Sequence, residues 1–406
     1  PFLETRRFLW VNIMGKRQVY ADNNATTKVD ERVAQEMLPY LSEYYGNPSS
    51  MHSFGGQVEK KLTAAREQVA ALLHAEPTEI IFTSCGTESD NMAIHSALTA
   101  TPEKRHIVTT KVEHPAVLNY CKQLSKRGYS VTFLSVDRQG MLDMNEVYES
   151  IHDDTAIVSI MHANNETGVI FPIYQIGKIA KEKGALFHTD AVQTAGKIPI
   201  DLQKLEMVDM LALSGHKFHA PKGIGILYVR RGTKFRPLLI GGHQERGRRP
   251  GTENTASIVA IGKAAELAQA ALDDELTRVK GMRDRLEREL LARIPDAQVN
   301  GHPTQRTPNT LNISFQYVEG EAILLMLSEA GIAASSGSAC TSGSLEPSHV
   351  LRAMDVPFTA AHGSVRFSLS RFNTDDDIEY IIAQLPPIIQ RLREISPFGQ
   401  NKEIPY

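Results

Sequence analysis

The chain has 406 residues, is 42% hydrophobic and carries a formal net charge of −3. That length supplies a large core or two domains sharing an interface, and the near balance of charge argues against nucleic acid or an anionic membrane as partner. Three cysteines at long, irregular spacing, Cys85, Cys121 and Cys340, argue against a disulfide framework or a metal site and for a reducing, cytoplasmic compartment, and no apolar run reaches the ~18 residues of a membrane span.

Residues 1–16 hold a short apolar patch but no signal-peptide pattern, and Met14 can serve as an internal start, so they are set apart as an extension. From about residue 56, helical and strand patterns alternate. "QVEKKLTAAREQVAALLHA" (57–75) has helical periodicity, "EIIFTS" (79–84) reads as a strand and "NMAIHSAL" (91–98) as a helix. Further strands are expected at "HIVTT", "VTFLSV", "AIVSIMHA", "ALFHTD", "MLALSG" and "GILYVRR". Several are apolar throughout, as in strands buried on both faces. Their alternation with helices predicts an α/β fold with a mostly parallel sheet between helical layers. Near Ser257 the pattern changes to a long helical stretch reaching about Leu291. It is followed by a strand ("NTLNISF"), a helix ("GEAILLMLSEA"), a serine-rich run, another strand ("GSVRFSLS") and a last helix from about Thr374. This is the pattern of a smaller α+β domain.

In such sheets ligands bind beyond the carboxyl ends of the strands, so the polar residues there matter most. In chain order they are Gly86-Thr87, Glu113-His114, Asn164-Asn165, Asp190 with Gln193, and Ser214-Gly215-His216-Lys217. Gly86-Thr87 opens a helix, where free N–H groups and the dipole suit a phosphate. The chain has neither GxGxxG nor GxxxxGK[ST], so dinucleotide and P-loop readings lack their signatures. A lysine at a strand end, such as Lys217, can lose its proton by desolvation and form a Schiff base. Asp190 can pair with a protonated pyridine nitrogen. His114 can stack on a flat ring or move protons, and Asn165 can donate to a ring hydroxyl. Together these groups suit pyridoxal 5'-phosphate.

The run "SSGSACTSGS" (335–344) places Cys340 among residues too small to pack a core. Cys121 reads as a packed helical side chain. Cys85, beside the phosphate turn, reads the same way, although it could approach the cofactor.

"DNNATT", "YGNPSS", "FTSCGTESDN", "VEHPAV", "NNETG", "HTDAVQ", "SGHKFHAPKG", "GGHQERGRRPGTEN" and "SSGSACTSGSLEPSHVLRAM" resemble the class V pyridoxal-phosphate enzymes. Within them, the likeness is to the cysteine desulfurases of the NifS and IscS group, above all the nitrogen-fixation members. It covers about residues 19–397. The resemblance implies fold type I, with a large domain (31–261) built on a seven-stranded sheet and a small α+β domain (17–30 and 262–406). It implies that Lys217 binds pyridoxal phosphate covalently, Asp190 holds the pyridine nitrogen and His114 stacks on the ring. Asn165 and Gln193 contact ring substituents, and Gly86, Thr87, Ser214 and His216 hold the phosphate. Thr252 reaches the phosphate of a neighbouring subunit, hence a homodimer. Arg366 clamps the carboxylate of L-cysteine with its paired donors, with Arg371 as the nearby competitor. Cys340 is the implied nucleophile: its thiolate takes the substrate's sulfur as a persulfide, L-alanine leaves, and a NifU-like iron–sulfur scaffold serving nitrogenase receives the sulfur. A class V aminotransferase, with no need of Cys340, and a non-catalytic sulfur carrier are the rival readings.

Overall fold

The structure is a computed structural model that describes residues 17–336 and 347–396. Twelve strands are numbered in chain order. Seven of them form the main sheet: β2 (Ile80–Thr83), β3 (His106–Thr110), β4 (Ser130–Leu134), β5 (Thr155–Ser159), β6 (Leu186–Asp190), β7 (Met210–Ser214) and β8 (Gly225–Val229). Their order is β2-β8-β7-β6-β5-β3-β4. The pairings among β4, β3, β5, β6 and β7 are parallel, while β8 runs antiparallel to both its neighbours. Strands β2, β3, β5, β7 and β8 are buried at every residue, which is why their sequences are apolar runs rather than alternations.

The Ser53–Leu73 helix shows how the outer layer attaches. It is capped by the His52 side chain, which accepts from Gly55 N at 3.3 Å, and stops at His74 in the left-handed region (φ 50°). Its buried face, Val58, Leu62, Ala65, Val69 and Leu73, repeats every three to four residues as one helical stripe requires. Packed against it is the Thr255–Ala270 helix. The approach is close: a Cβ on Gly262 would stand 2.5 Å from Ala65 Cα, so only glycine fits there.

The stretch expected to be one helix from Ser257 to Leu291 is interrupted. After Ala270 come a short turn, a π-type segment at Glu275–Val279 and a second helix, Lys280–Arg293. Wide i→i+5 turns of this kind accompany functional or strained positions, and Glu275 is buried.

A second apolar core gathers Val19, Ala21, Leu286, Leu290, Leu311, Ile313, Val365, Phe367, Ile381 and Leu385. Over it lies the antiparallel sheet β12 (Ser364–Ser368), β10 (Thr310–Phe315), β9 (Ala297–Val299). Beside it, β1 (Val19–Tyr20) pairs with β11 (Ile332–Ala333). The first apolar core, on the main sheet, takes in Leu73, Phe187, Leu211 and Tyr228 together with Ala264, Ala265, Leu267, Ala268, Val350, Leu351 and Met354.

Candidate active site

The carboxyl ends of β2, β3, β5, β6 and β7 open on one cleft with a cavity volume of about 590 Å³. Gly86, Thr87, His114, Asn165, Asp190, Gln193, Ser214, His216, Lys217 and Arg366 all line it. Residues up to 280 positions apart thus meet, most of them at or just beyond the end of a main-sheet strand and Arg366 from the middle of β12. Gly225 of β8 lies beneath, where a Cβ would stand 2.5 Å from the Cys85 backbone.

Lys217 follows β7 in a single tight turn, Gly215–Lys217. Its Nζ donates to the carbonyls of Asn24 (2.7 Å) and Ala25 (2.8 Å). Burial first, and the Arg366 charge second, pull its pKa down to about 8, against the attraction of Asp190 and Asp22. A good share of the amine is therefore neutral and nucleophilic near physiological pH. Asp190 ends β6 and accepts from Val192 N at 2.9 Å. Burial pushes its carboxyl up to about 6, and Lys217 holds it back.

His114 caps the Pro115–Lys126 helix: its Nδ1 accepts from Ala116 N at 3.2 Å. Burial, then the charges of Lys217 and His349, bring its pKa down to about 4, so the ring is neutral with its proton on Nε2. His216 is likewise lowered to about 4, mainly by burial, and its Nδ1 lies 3.1 Å from Thr26 Oγ1. Gln193 is engaged at both ends of its amide. It donates to Asn24 O at 3.0 Å and accepts from Lys197 Nζ at 2.8 Å.

Arg366, on β12, brings the second core's sheet to the cleft. Its Nη2 pairs with Asp22 at 2.8 Å and its Nη1 donates to Asn165 O at 2.9 Å, while the buried Nε has no partner among the described residues. Arg371 is spent elsewhere. It pairs with Asp30 at 3.0 Å, its N–H donates to Glu275, and it is not among the lining residues. Of the two competing arginines, the structure brings Arg366 to the site.

Asn24 was seen in the sequence only as one letter of "DNNATT", yet it ties the site together. Its carbonyl accepts from Lys217 and Gln193. Its Oδ1 accepts from Lys197 and Asn309, and its Nδ2 donates to Asn165 O and Thr310 Oγ1. Its N–H donates to Ser368 Oγ. Each partner lies far away in sequence, so no local pattern marks it.

Thr252 is exposed and is not among the lining residues. Its loop is held at a cost: Glu245 and Arg246 both sit at positive φ (47° and 60°), roughly 1–3 kcal/mol each for non-glycine residues. Arg66 offsets this with a two-pronged pair to Glu245 at 2.6 and 2.7 Å, and Phe82 N donates to the same carboxylate. Arg249 adds a 2.9 Å bond to Glu88. Cys85 is half-buried and lines the cleft, so it approaches the site rather than merely packing. Cys121 is buried, and burial pushes its thiol up to about 12. Cys340 lies outside the described residues.

Glu166 is a further lining residue that sequence reasoning missed. It is buried, accepts from Ser348 Oγ, and desolvation pushes it up to about 7. Folded protein therefore keeps a proton that the unfolded chain releases between pH ~4.5 and ~7. This contribution is full below about 4.5 and lost as pH rises through about 7. Glu166→Gln keeps the acceptor for Ser348 without the titration. We expect the melting temperature of Glu166→Gln, relative to the parent, to rise between pH 5.5 and pH 8; a difference constant with pH would show that Glu166 does not titrate here.

The family described as aminotransferase class-V matches residues 19–381. "Cysteine desulfurase 2" of Trichormus variabilis is 64% identical over 384 residues, 95% of this chain and 96% of its own length. "Cysteine desulfurase NifS" of Azotobacter vinelandii is 59% identical over 381 residues, 94% of each chain. A solved structure described as a NifS-like protein superposes with a TM-score of 0.87 at 41% identity, covering 93% of this chain and 100% of its own. Another, "SspA in complex with cysteine", reaches 0.77 at 35% identity, covering 87% and 99%.

Proposed function

The chain belongs to the class-V aminotransferase family, and from that premise we propose that it is a cysteine desulfurase. It converts L-cysteine to L-alanine and leaves the sulfur as a persulfide on Cys340. The observation that carries this reading is the meeting of Lys217, Asp190, His114 and Arg366 in one cleft.

The family's cofactor is pyridoxal phosphate, and the cleft's donor set fits it. A buried carboxylate at Asp190, a partly deprotonated amine at Lys217, a neutral imidazole at His114 and the opening of the Gly86–Ala100 helix stand together. When bound, the cofactor supplies an aldehyde that bonds amines and a ring that draws electrons from the substrate's Cα. Gly86, Thr87, Ser214 and His216 would hold its phosphate, Asp190 its ring nitrogen, Asn165 and Gln193 its ring substituents, and His114 its face.

Arg366 would take the carboxylate of L-cysteine with its forked donors, releasing Asp22 or sharing it. Lys217 would remove the Cα proton as its neutral amine. The Cys340 thiolate then attacks the substrate sulfur. The C–S bond breaks with its electron pair left on Cβ and an S–S bond forms; the proton given up by the Cys340 thiol ends on Cβ, the proton taken by Lys217 goes back to Cα, and L-alanine leaves. The role of Cys340 rests on the sequence. Mass spectrometry after brief exposure to L-cysteine tests the whole: one added sulfur on the peptide containing residue 340 is expected, and an unmodified peptide alongside alanine formation overturns it.

Arg366→Ala is expected to raise KM for L-cysteine on the order of 100-fold, the scale of losing a buried charge pair, with the cofactor's visible colour unchanged. Complete loss of that colour would put Arg366 in the cofactor site or the fold.

The finer expectations are part of the same proposal. A homodimer is supported by the apolar side chains exposed at Leu41, Tyr45, Met51 and Phe54, of which the Tyr45 and Phe54 rings lie 6.1 Å apart. Thr252, exposed on its pinned loop, would serve the partner's phosphate site. The two cores support a large domain built on about 31–261 and a small one formed by 17–30 and most of the later chain, while the Thr255–Ala270 helix and Val350, Leu351, Met354 and Ala361 pack in the large domain's core. No described helix is long and apolar enough to cross a membrane. A cytoplasmic site of action, sulfur delivery to a NifU-like iron–sulfur scaffold and service to nitrogenase complete the reading, supported by the likeness to NifS.

A further inference from the structure

Asp90 Oδ1 and His188 Nε2 are both fully buried, and neither has a hydrogen-bond partner among the described residues. They lie 3.6 Å from each other. Asp90 comes from the Gly86–Ala100 helix and lines the cleft. His188 is on β6, two residues before Asp190 and on the same face of the strand. The other imidazole nitrogen, Nδ1, is 2.9 Å from Ser159 Oγ.

The 3.6 Å separation is a few tenths of an ångström longer than a hydrogen bond; one proton between the two atoms, with that small closure, would satisfy both, and leaving them unpaired costs the full desolvation of each. The question is which atom owns it. If it sits on Nε2, Asp90 is an anion compensated by one neutral donor, which does not match the cost of burying a carboxylate. Burial first, and then the acidic groups Asp190, Glu113 and Cys85 that face it, raise the Asp90 pKa well above the usual carboxylate range. Nothing charges the ring instead, since burial lowers His188 to about 3. Among the three carboxyls, Asp190 has both an N–H donor at Val192 and the Lys217 charge. Glu113 has Thr110 Oγ1 and Met161 N, and Asp90 has neither.

We propose that Asp90 is a neutral carboxylic acid donating its proton to His188 Nε2, and that this pair leaves Asp190 to hold the negative charge at this end of the cleft. Asp90 and His188 are thus positioning residues acting through Asp190. The protonation state stands on the geometry of the pair; its consequence for the cofactor ring rests on the functional reading above.

The experiment uses the cofactor-loaded protein. In infrared difference spectra between wild type and Asp90→Asn, loss of a carboxylic-acid carbonyl band that shifts in heavy water is expected; no such loss overturns the proposal. In nitrogen-15 spectra of histidine-labelled wild type, assigned with His188→Gln, His188 should carry its proton on Nδ1 alone. A proton on Nε2, or on both nitrogens, overturns it, and this measurement stands even if Asp90→Asn does not fold. Asp90→Asn, whose amide can still donate to Nε2, should keep that tautomer, whereas Asp90→Leu should lose it. Finally, Asp90→Asn should leave the pH midpoint of the cofactor's visible absorption in place. A shift of about one unit or more, as removal of a nearby charge produces, would mean that Asp90 is ionised. Failure of the desulfurase reading would leave the infrared and nitrogen-15 results intact.

Discussion

Lys217→Ala is expected to lower L-alanine formation from L-cysteine by at least about 10⁴-fold, since in the proposed function this one residue would supply both the amine that binds the cofactor and the base at Cα. Borohydride treatment should fix the cofactor to the peptide containing residue 217 in the parent and to no lysine in the variant. The competitor is Lys197, also buried and lowered to about 7 by desolvation. Its Nζ, however, is taken by Gln193 Oε1 at 2.8 Å and Asn24 Oδ1 at 3.3 Å, and it is not among the cleft's lining residues. Fixation at Lys197 would overturn the assignment. The loss is not expected to come from unfolding. The folded pKa of Lys217 lies below the usual lysine value, so between about 8 and 10.5 the unfolded chain binds more protons and this residue's contribution to stability rises with pH. Near pH 7.5 it is at its least favourable, and removing it there relieves a buried charge. Asn24 O keeps Gln193 as donor. The variant should therefore melt close to the parent at pH 7.5, and an early melt would assign Lys217 a structural role.

The cleft was legible where chain order and space agree. Runs such as 80–83 and 210–214 are mostly apolar because both faces of the sheet are covered, and the first polar residues beyond them fall at the cleft by construction. His114, Asp190 and Lys217 are of this kind. The reversal of β8 was not legible, because a strand buried on both faces reads the same in either direction. Nor was the π-type segment at Glu275–Val279, whose apolar spacing continues that of the helices around it. Asn24 escaped for another reason: it works through seven hydrogen bonds, and all its partners are more than 140 residues distant. The Asp90–His188 pair is equally silent in sequence, since what marks it is two atoms lacking partners.

Cys340→Ala should cost turnover on the same scale, about 10⁴-fold, while the cofactor's colour, its borohydride fixation at Lys217 and the spectral response to L-cysteine all persist. That separation distinguishes a desulfurase from an aminotransferase, which has no use for the thiol. Cys121 cannot substitute, being buried with its thiol held near 12, so it offers almost no thiolate. Cys85, half-buried at the cleft, is the real internal competitor. A sulfur adduct found on the peptide holding residue 85, or turnover surviving in Cys340→Ala and lost in Cys85→Ala, would move the nucleophile there. Cys340 is favoured by the resemblance, and the described residues that flank its segment stand at the cleft: Ser335 exchanges backbone bonds of 3.2 and 2.6 Å with Arg366, and Ser335, Pro347 and Ser348 all line the cleft. Cys340 follows Ser335 by five residues in the sequence. The arginine proposed to hold the substrate carboxylate is therefore bonded to the backbone that leads to the thiol. Weakening that link without touching either side chain, by Ser335→Pro, removes the N–H that donates to Arg366 O. It should slow sulfur transfer more than it weakens L-cysteine binding; equal effects on kcat and on binding would show that the link serves the fold alone.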